Sequence, residues 1–246
     1  MKARIVAALI LVLAVSVLLP GWAVPSAQAQ TRGETIAIIG TGNVGSTLGK
    51  IWAEAGHTVI YGSRTPNEER VLALVTETGH GATATTQGAA AVQGEIVFIP
   101  VPPMAIPEVI AALGDLTGKI VVDPTNSLAF DSGYPVSPRD PRHSLAEEVQ
   151  ALAPGAIVVK AFNTLNYRIM EDPSRAGGAV TVPIAGNDAA AKERVAQLVN
   201  DVGLEPLDVG PLVAARYLEE MLRLSLGFRA LNPGIAFEYY LRIRPN

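Results

Sequence analysis

The sequence predicts an α/β protein: a doubly wound, mostly parallel sheet in a single domain that ends in a long helix. Three observations carry this. From residue 34 onward, short apolar runs alternate with helical stretches. The runs are apolar throughout rather than at every second residue, as strands covered on both faces are. Glycines and prolines punctuate the segment ends.

The elements follow in order. Residues 35–39 are a β-branched run ending at Gly40 and read as a buried strand. Residues 43–55 are helical, with Gly56 as the stop. Residues 58–61 give a second strand, 68–78 a helix ended by Gly79, and 82–85 a weak third strand. Residues 95–100 form a fourth strand, closed by Pro100, Pro102 and Pro103. A helix at 105–113 and a fifth strand at 119–123 come next. Residues 124–143 are proline-rich and read as a long loop. Ser144 and Glu147 make a capping box that opens a helix to Leu152. Residues 156–161 are a sixth strand, and 180–185, 188–201 and 205–208 read as strand, helix, strand. Residues 212–228 form the last helix. Leu218, Leu222, Ser225 and Leu226 give it a mainly apolar face, and Glu219, Glu220 and Arg223 are expected in solvent. With only a short tail after it, a homodimer is expected to use this helix and the sheet edge.

Composition narrows the function. The 246 residues are 49% apolar and 17% charged, enough for a packed core. The chain has no cysteine, which excludes disulfides, thiolate zinc sites, iron–sulfur clusters, cysteine nucleophiles and cysteine-linked lipid anchors. A net charge of −4 without a basic block argues against nucleic-acid binding. His57, His80 and His143 share no metal-ligand spacing, so no metal site is expected. Arg139, Arg142 and His143 read as a solvated loop cluster. Ser46 lies outside a G-x-S-x-G elbow, which removes the case for a hydrolase.

The mean hydropathy of +0.29 has a local source. Lys2 and Arg4 precede an apolar run at 5–19 broken only by Ser16, then Pro20-Gly21 and Ala27-Gln28-Ala29. This order is a secretory signal peptide over 1–29, cut after Ala29. No arginine pair precedes the apolar run, so the route is Sec-type and the destination periplasmic or secreted. The run is too short for a comfortable span, and no stable membrane segment is expected after cleavage. The functional domain is then 34–246.

The chemistry begins at Gly40-Thr41-Gly42-Asn43-Val44-Gly45, which follows a strand and opens a helix within a strand–helix–strand unit. That context makes a G-x-G-x-x-G a Rossmann-type dinucleotide turn. Gly40 permits the turn, Gly42 lets backbone approach a pyrophosphate, and Gly45 lets helix pack on strand. Free N–H groups at the helix start face the phosphates. At the end of the second strand stands Gly62-Ser63-Arg64-Thr65, where an NAD site tends to carry an acidic residue. Arginine and hydroxyls suit a 2′-phosphate, so NADP is favoured over NAD.

Together with Asp123-Pro124-Thr125-Asn126, Lys160-Ala161-Phe162-Asn163-Thr164 and Asp208-Val209-Gly210-Pro211-Leu212, these motifs stand in an order that resembles the NADP oxidoreductases dependent on coenzyme F420, a deazaflavin. The reductase part of the STEAP ferric reductases is similar. The resemblance runs over roughly 35–226 and implies roles. Thr41, Gly42, Asn43 and Val44 would wrap the pyrophosphate, and Ser63 and Arg64 would hold the 2′-phosphate. The loop from Val101 and Pro102 to Met104 would lie against ribose and nicotinamide. Asn126 and Asn163 would reach the crevice beyond the strand ends. Members of the family often carry another basic residue soon after the Ser-Arg pair. Here Pro66, Asn67, Glu68 and Glu69 follow, and the acidic pair counts against 2′-phosphate binding.

The expected activity is hydride passage between nicotinamide and a stacked second ring, either F420 or a flavin. Such a transfer needs aligned rings and dry walls more than an acid–base residue, and no catalytic side chain is expected. The alternative is an exported NADP(H)-binding module without turnover, motivated by the export segment.

Overall fold

Eight parallel and antiparallel strands form one sheet in the order β10-β9-β8-β5-β4-β1-β2-β3. They are β1 (Thr35–Ile39), β2 (Thr58–Ser63), β3 (Thr83–Thr86), β4 (Ile96–Phe98), β5 (Ile120–Asp123), β8 (Ile157–Lys160), β9 (Thr181–Gly186) and β10 (Glu205–Asp208), with β6 (Ala129–Asp131) and β7 (Tyr134–Val136) in a separate hairpin. The computed structural model describes residues 33–137, 140, 142–235 and 237–243. The expected export segment at 1–29, and Arg139, lie outside the described residues. Among the described residues no helix is long and apolar enough to cross a membrane.

Side-chain alternation splits the core into two layers. Ile36, Ile38, Phe98 and Val122 face one side, where they meet Trp52 of α1 (Asn43–Glu54), Leu74 of α2 (Glu69–Thr78), Ile169 of α6 (Tyr167–Glu171) and Leu198 of α7 (Ala189–Asp201). Ala37, Ile39, Val97 and Val121 face the other. They meet Ala90 of α3 (Gln87–Gln93), Ile110 of α4 (Ile106–Leu113), Val149 of α5 (Leu145–Leu152) and Ala215, the first residue of α8 (Ala215–Leu231). Each such buried side chain contributes about 1.5–3 kcal/mol relative to exposure. Trp52 sets the first layer's packing. Its ring stands edge-on to Phe98 and Phe162, 5.2 and 5.8 Å between centroids, and its indole N–H donates to the Leu198 carbonyl at 3.0 Å.

The sheet is parallel from β3 across to β8, and β1 lies between β2 and β4. The chain winds outward through β2 and β3, then returns past β1 to β4. That reversal opens a crevice at the carboxyl ends of β1 and β4, the place where open α/β sheets bind ligands.

Four features depart from the expected layout. Within the proline-rich stretch at 124–143, β6 and β7 pair antiparallel around Ser132 and Gly133, whose φ values of 48° and 84° match the primed turn of a tight hairpin. An alanine-rich helix, α3, is capped by the Thr86 hydroxyl, which accepts from the Ala89 amide. The pair β8·β9 is antiparallel, so β9 and β10 run against the other six strands. Between Lys160 and Thr181 the chain holds two short helical pieces, the 5-residue α6 and a 4-residue 3₁₀ turn, in place of one long crossover helix. Finally, Leu212–Ala214 is a 3₁₀ turn, and the last helix starts at Ala215 and continues to Leu231.

Candidate functional site

The glycine turn is built from close approach. Gly40 sits at φ +132°, a value that L side chains rarely adopt. A Cβ on Gly45 would collide with the Gly40 carbonyl and crowd Pro100, so only glycine lets α1 start this near β1 and β4. A Cβ on Gly42 would meet nothing within 4 Å. The turn therefore leaves an open cradle on the ligand side of Gly42. Gly42 provides no side-chain cap for α1, and the helix has no acidic residue in its first turn. The amides of Asn43, Val44 and Gly45 thus stand where intrahelical acceptors are lacking, which favours an anion.

A cleft of about 300 Å³ opens beside this turn. Gly40, Thr41 and Gly42 form one wall, and Ser63 and Arg64 from the end of β2 form the second. Pro100, Val101 and Pro102 after β4 form the third, continued by Ala105, Val109 and Ala112 of the α4 region. Seven of the residues named from sequence therefore line one space or its rim: Gly40, Thr41, Gly42, Ser63, Arg64, Val101 and Pro102. Asn43, Val44 and Gly45 stand behind it as the first turn of α1. Ser63 is buried, and its hydroxyl accepts from the Thr65 amide at 3.1 Å. Met104, at the far end of the same loop, is 80% exposed.

The structure adds Arg70 to the cleft. It lies in the first turn of α2, and its Nη1 donates to Thr41 Oγ1 in the glycine turn at 3.2 Å. Its Nε donates to Glu68 at 3.1 Å, and the Thr65 hydroxyl donates to the same Glu68 oxygen at 2.6 Å. These contacts, the Thr65 hydroxyl first, hold the Glu68 carboxyl below its usual range. The sequence signal for Arg70 was its place one step beyond the acidic pair. A helical first turn swings that position back toward the glycines.

Asn126 and Asn163 do not line the cleft. They sit side by side at the ends of β5 and β8: Asn163 Nδ2 donates to Asn126 Oδ1 at 2.9 Å, and Asn126 Nδ2 donates to the Asn163 carbonyl at 3.0 Å. Asn163 Nδ2 also donates to the Leu218 carbonyl of α8 at 3.0 Å, while its buried Oδ1 has no hydrogen-bond partner among the described residues. Phe162, just before, holds a left-handed φ of +64°, which turns the chain off β8 toward this pair.

Glu219 corrects an expectation. Its helix position predicts solvent, yet it is 2% exposed. Its carboxylate accepts from Lys160 Nζ at 2.8 Å, from the Leu145 amide at 2.8 Å and from the Ser127 amide at 3.2 Å. Lys160 is wholly buried and also donates to Asp123 at 3.0 Å and to the Thr125 carbonyl. Asp123 is completed by the Thr125 amide and hydroxyl. Arg223, also expected in solvent, has a side chain only 10% exposed and donates to the Ser127 carbonyl. This network ties α8 across the carboxyl ends of β5 and β8. A three-to-four period pattern cannot reveal it, because the partners come from other strands.

Residues 35–127 match the model of the NADP oxidoreductases that depend on coenzyme F420. The chain is 30% identical over 224 residues to metalloreductase STEAP3 of Rattus norvegicus, covering 89% of this chain and 43% of that protein. It therefore spans less than half the length of that curated relative. A crystal structure from Arthrobacter sp. FB24, assigned as an F420-dependent NADP-reductase, superposes with a TM-score of 0.74 at 34% identity, covering 81% of this chain and 95% of that one. A reductive aminase of Aspergillus terreus in complex with NADPH and ethyl levulinate shares the fold at 20% identity, with a TM-score of 0.61 over 82% of this chain and 63% of its own. From β1 through the glycine turn to the loop after β5, and at a third identity over nearly the whole of a solved relative, the chain belongs to the family of coenzyme F420-dependent NADP oxidoreductases.

Proposed function

We propose that this protein is an NADP(H)-dependent oxidoreductase that passes a hydride between nicotinamide and a deazaflavin- or flavin-like acceptor. The observation that supports it best is the convergence of the open glycine cradle, the Ser63–Arg64 edge and the apolar Val101–Pro102 wall on one cleft at the strand reversal. The cradle and the α1 amides take the pyrophosphate, and Arg64 with Ser63 takes the 2′-phosphate. Val101 and Pro102 keep water from the reacting end. Asn126 and Asn163 stand outside the cleft at the ends of β5 and β8, bonded to each other and to α8. The Lys160–Glu219 network holds the two asparagine loops in place. Bound NADPH supplies the hydride, so the protein needs no acid–base residue for the transfer itself.

In this reading residues 1–29 direct export through the Sec route, 34–246 form the working domain, and a homodimer joins through α8. A mixed assay tests the activity: purified protein, NADPH, and F420, FMN or FAD in turn, followed by nicotinamide absorbance. Oxidation with one acceptor supports the oxidoreductase. Tight NADPH binding with no oxidation by any acceptor favours an exported binding module instead, for which the secretory pattern of 1–29 is the motive.

A further inference from the structure

The fold uses one face of α8 and leaves the other open. Ala215, Leu218, Glu219 and Ser225 are buried. On the opposite side Tyr217, Leu224 and Leu231 are 72%, 75% and 71% exposed, and Phe228 is 37% exposed. Met221 stands half-buried among them. In chain order these five positions alternate steps of four and three residues, the seam of a helix that packs along another helix. A groove of about 610 Å³ runs beside the first half of the seam, between Tyr134, Pro135 and Val136 of the hairpin and Tyr217, Met221 and Leu224 of α8. A continuous apolar stripe of this kind, open beside a groove, marks an interaction surface.

We propose that a second copy of this chain covers this face, its α8 antiparallel to the first and the two-fold axis at Leu224. This rests on the reading that α8 joins two copies, and it adds the register and the residues that meet. Leu224 stands midway between Tyr217 and Leu231. An antiparallel copy centred there sets Leu224 against the partner's Leu224, and Tyr217 against the partner's Leu231. The same register carries the partner's Phe228 and Leu231 over the groove, so ridge and groove on one helix complement each other. Charge points to a second copy as well. Arg216 pairs with Glu147, Glu220 with Arg223, and Arg229 with Glu238, each within one chain. Self-association brings like charges together, and a face whose charges are already paired tolerates that. Glu220, at the groove's edge, stands about 12 Å along the axis from its counterpart, beyond the screening length at physiological salt. A lipid surface calls instead for lysines and arginines free beside the apolar stripe, and here these arginines are held by carboxylates.

A chain without cysteine makes the register readable by disulfide trapping. Leu224→Cys, oxidised and run on a non-reducing gel, is expected to cross-link to its own copy. Tyr217→Cys alone and Leu231→Cys alone are expected to stay uncrossed. Each lies about 21 Å along the axis from its counterpart, and a disulfide needs Cα atoms within about 7 Å. Co-expressed, these two variants are expected to cross-link to each other. Sedimentation reads the assembly: the unaltered protein is expected at twice the chain mass, and Leu224→Asp, changed at an exposed position, at half of that. A monomeric unaltered protein overturns the α8 dimer and this register together, and leaves the face to a partner of another kind. A dimer that survives Leu224→Asp overturns α8 as the interface. A dimer split by Leu224→Asp but not trapped by Leu224→Cys, or trapped by Tyr217→Cys alone, keeps α8 and overturns the register. No readout here uses nucleotide, so the outcome stands apart from the NADP(H) reading.

Discussion

The ammonium of Lys160, at the carboxyl end of β8, lies 2.8 Å from the carboxylate of Glu219 on α8, and both side chains are out of solvent. One lysine is shared by two buried carboxylates, those of Asp123 and Glu219, with backbone amides and a threonine hydroxyl filling the remaining lone pairs. A network of this kind satisfies buried charge only while complete. Here it fixes where the last helix crosses the strand ends.

Removing one member should therefore cost far more than a surface change. Glu219→Ala strands part of the Lys160 charge and the amides of Ser127 and Leu145, and is expected to destabilise the fold by about 3–5 kcal/mol. Glu219→Gln preserves the shape and should cost less. Urea unfolding of the two variants checks the order. Equal and small losses would show that α8 is held by packing alone.

Two glycines of one turn should separate folding from binding. Gly45→Ala drives a methyl into the Gly40 carbonyl and should lower stability, by about 1–3 kcal/mol as overpacking does. Gly42→Ala meets only open space and should unfold like the unaltered protein, while the methyl fills the phosphate cradle and weakens nucleotide binding. Thermal unfolding beside NADPH titration reads both. A Gly42→Ala variant with full affinity would place the phosphates elsewhere.

Acid should weaken the junction of α5 and α8. Burial raises the Glu147 carboxyl, but hydrogen bonds from Arg216 and Ser144 outweigh it and hold it below the usual carboxylate range. Arg216 Nε donates to Glu147 at 2.8 Å, and the capping box adds the Ser144 amide at 2.9 Å. A depressed carboxylate contributes stability that is complete above the unfolded value and is lost as pH falls through the folded one. Stability of the unaltered protein should thus decline below about pH 5 more steeply than that of Glu147→Gln, which is already weaker at neutral pH. Parallel acid slopes would show that Glu147 titrates alike folded and unfolded.

Arg64 gives the selectivity test from the β2 side. Arg64→Gln should reduce the preference for NADPH over NADH, measured as the ratio of the two dissociation constants. A ratio that does not move would leave the 2′-phosphate without its expected ligand.

Much of this was legible in the chain. The run at 35–39 and its glycine turn read correctly because local chemistry decides them: β-branched residues, then a backbone only glycine adopts. The capping box at Ser144 and Glu147 is local too, and both of its hydrogen bonds are present. What stayed hidden depends on distant partners. Glu219 stands among Glu220 and Arg223 on its helix, and distant partners, Lys160 with the Ser127 and Leu145 amides, draw it inside. Arg70 lies past an acidic pair that seemed to close the subsite. Pro135 within β7 disguised a hairpin, since the three-residue strands of a two-stranded ribbon tolerate a missing amide as a central strand would not. The reversal of β9 stayed hidden because an apolar strand run reads the same in either direction.

The central claim is that the cleft between the glycine turn, Arg64 and the β4 loop holds NADP(H). Titration of NADPH and NADH into the purified protein tests it most directly. The account predicts saturable binding of both nucleotides with NADPH the tighter. Absence of binding, or a preference for NADH, would contradict it.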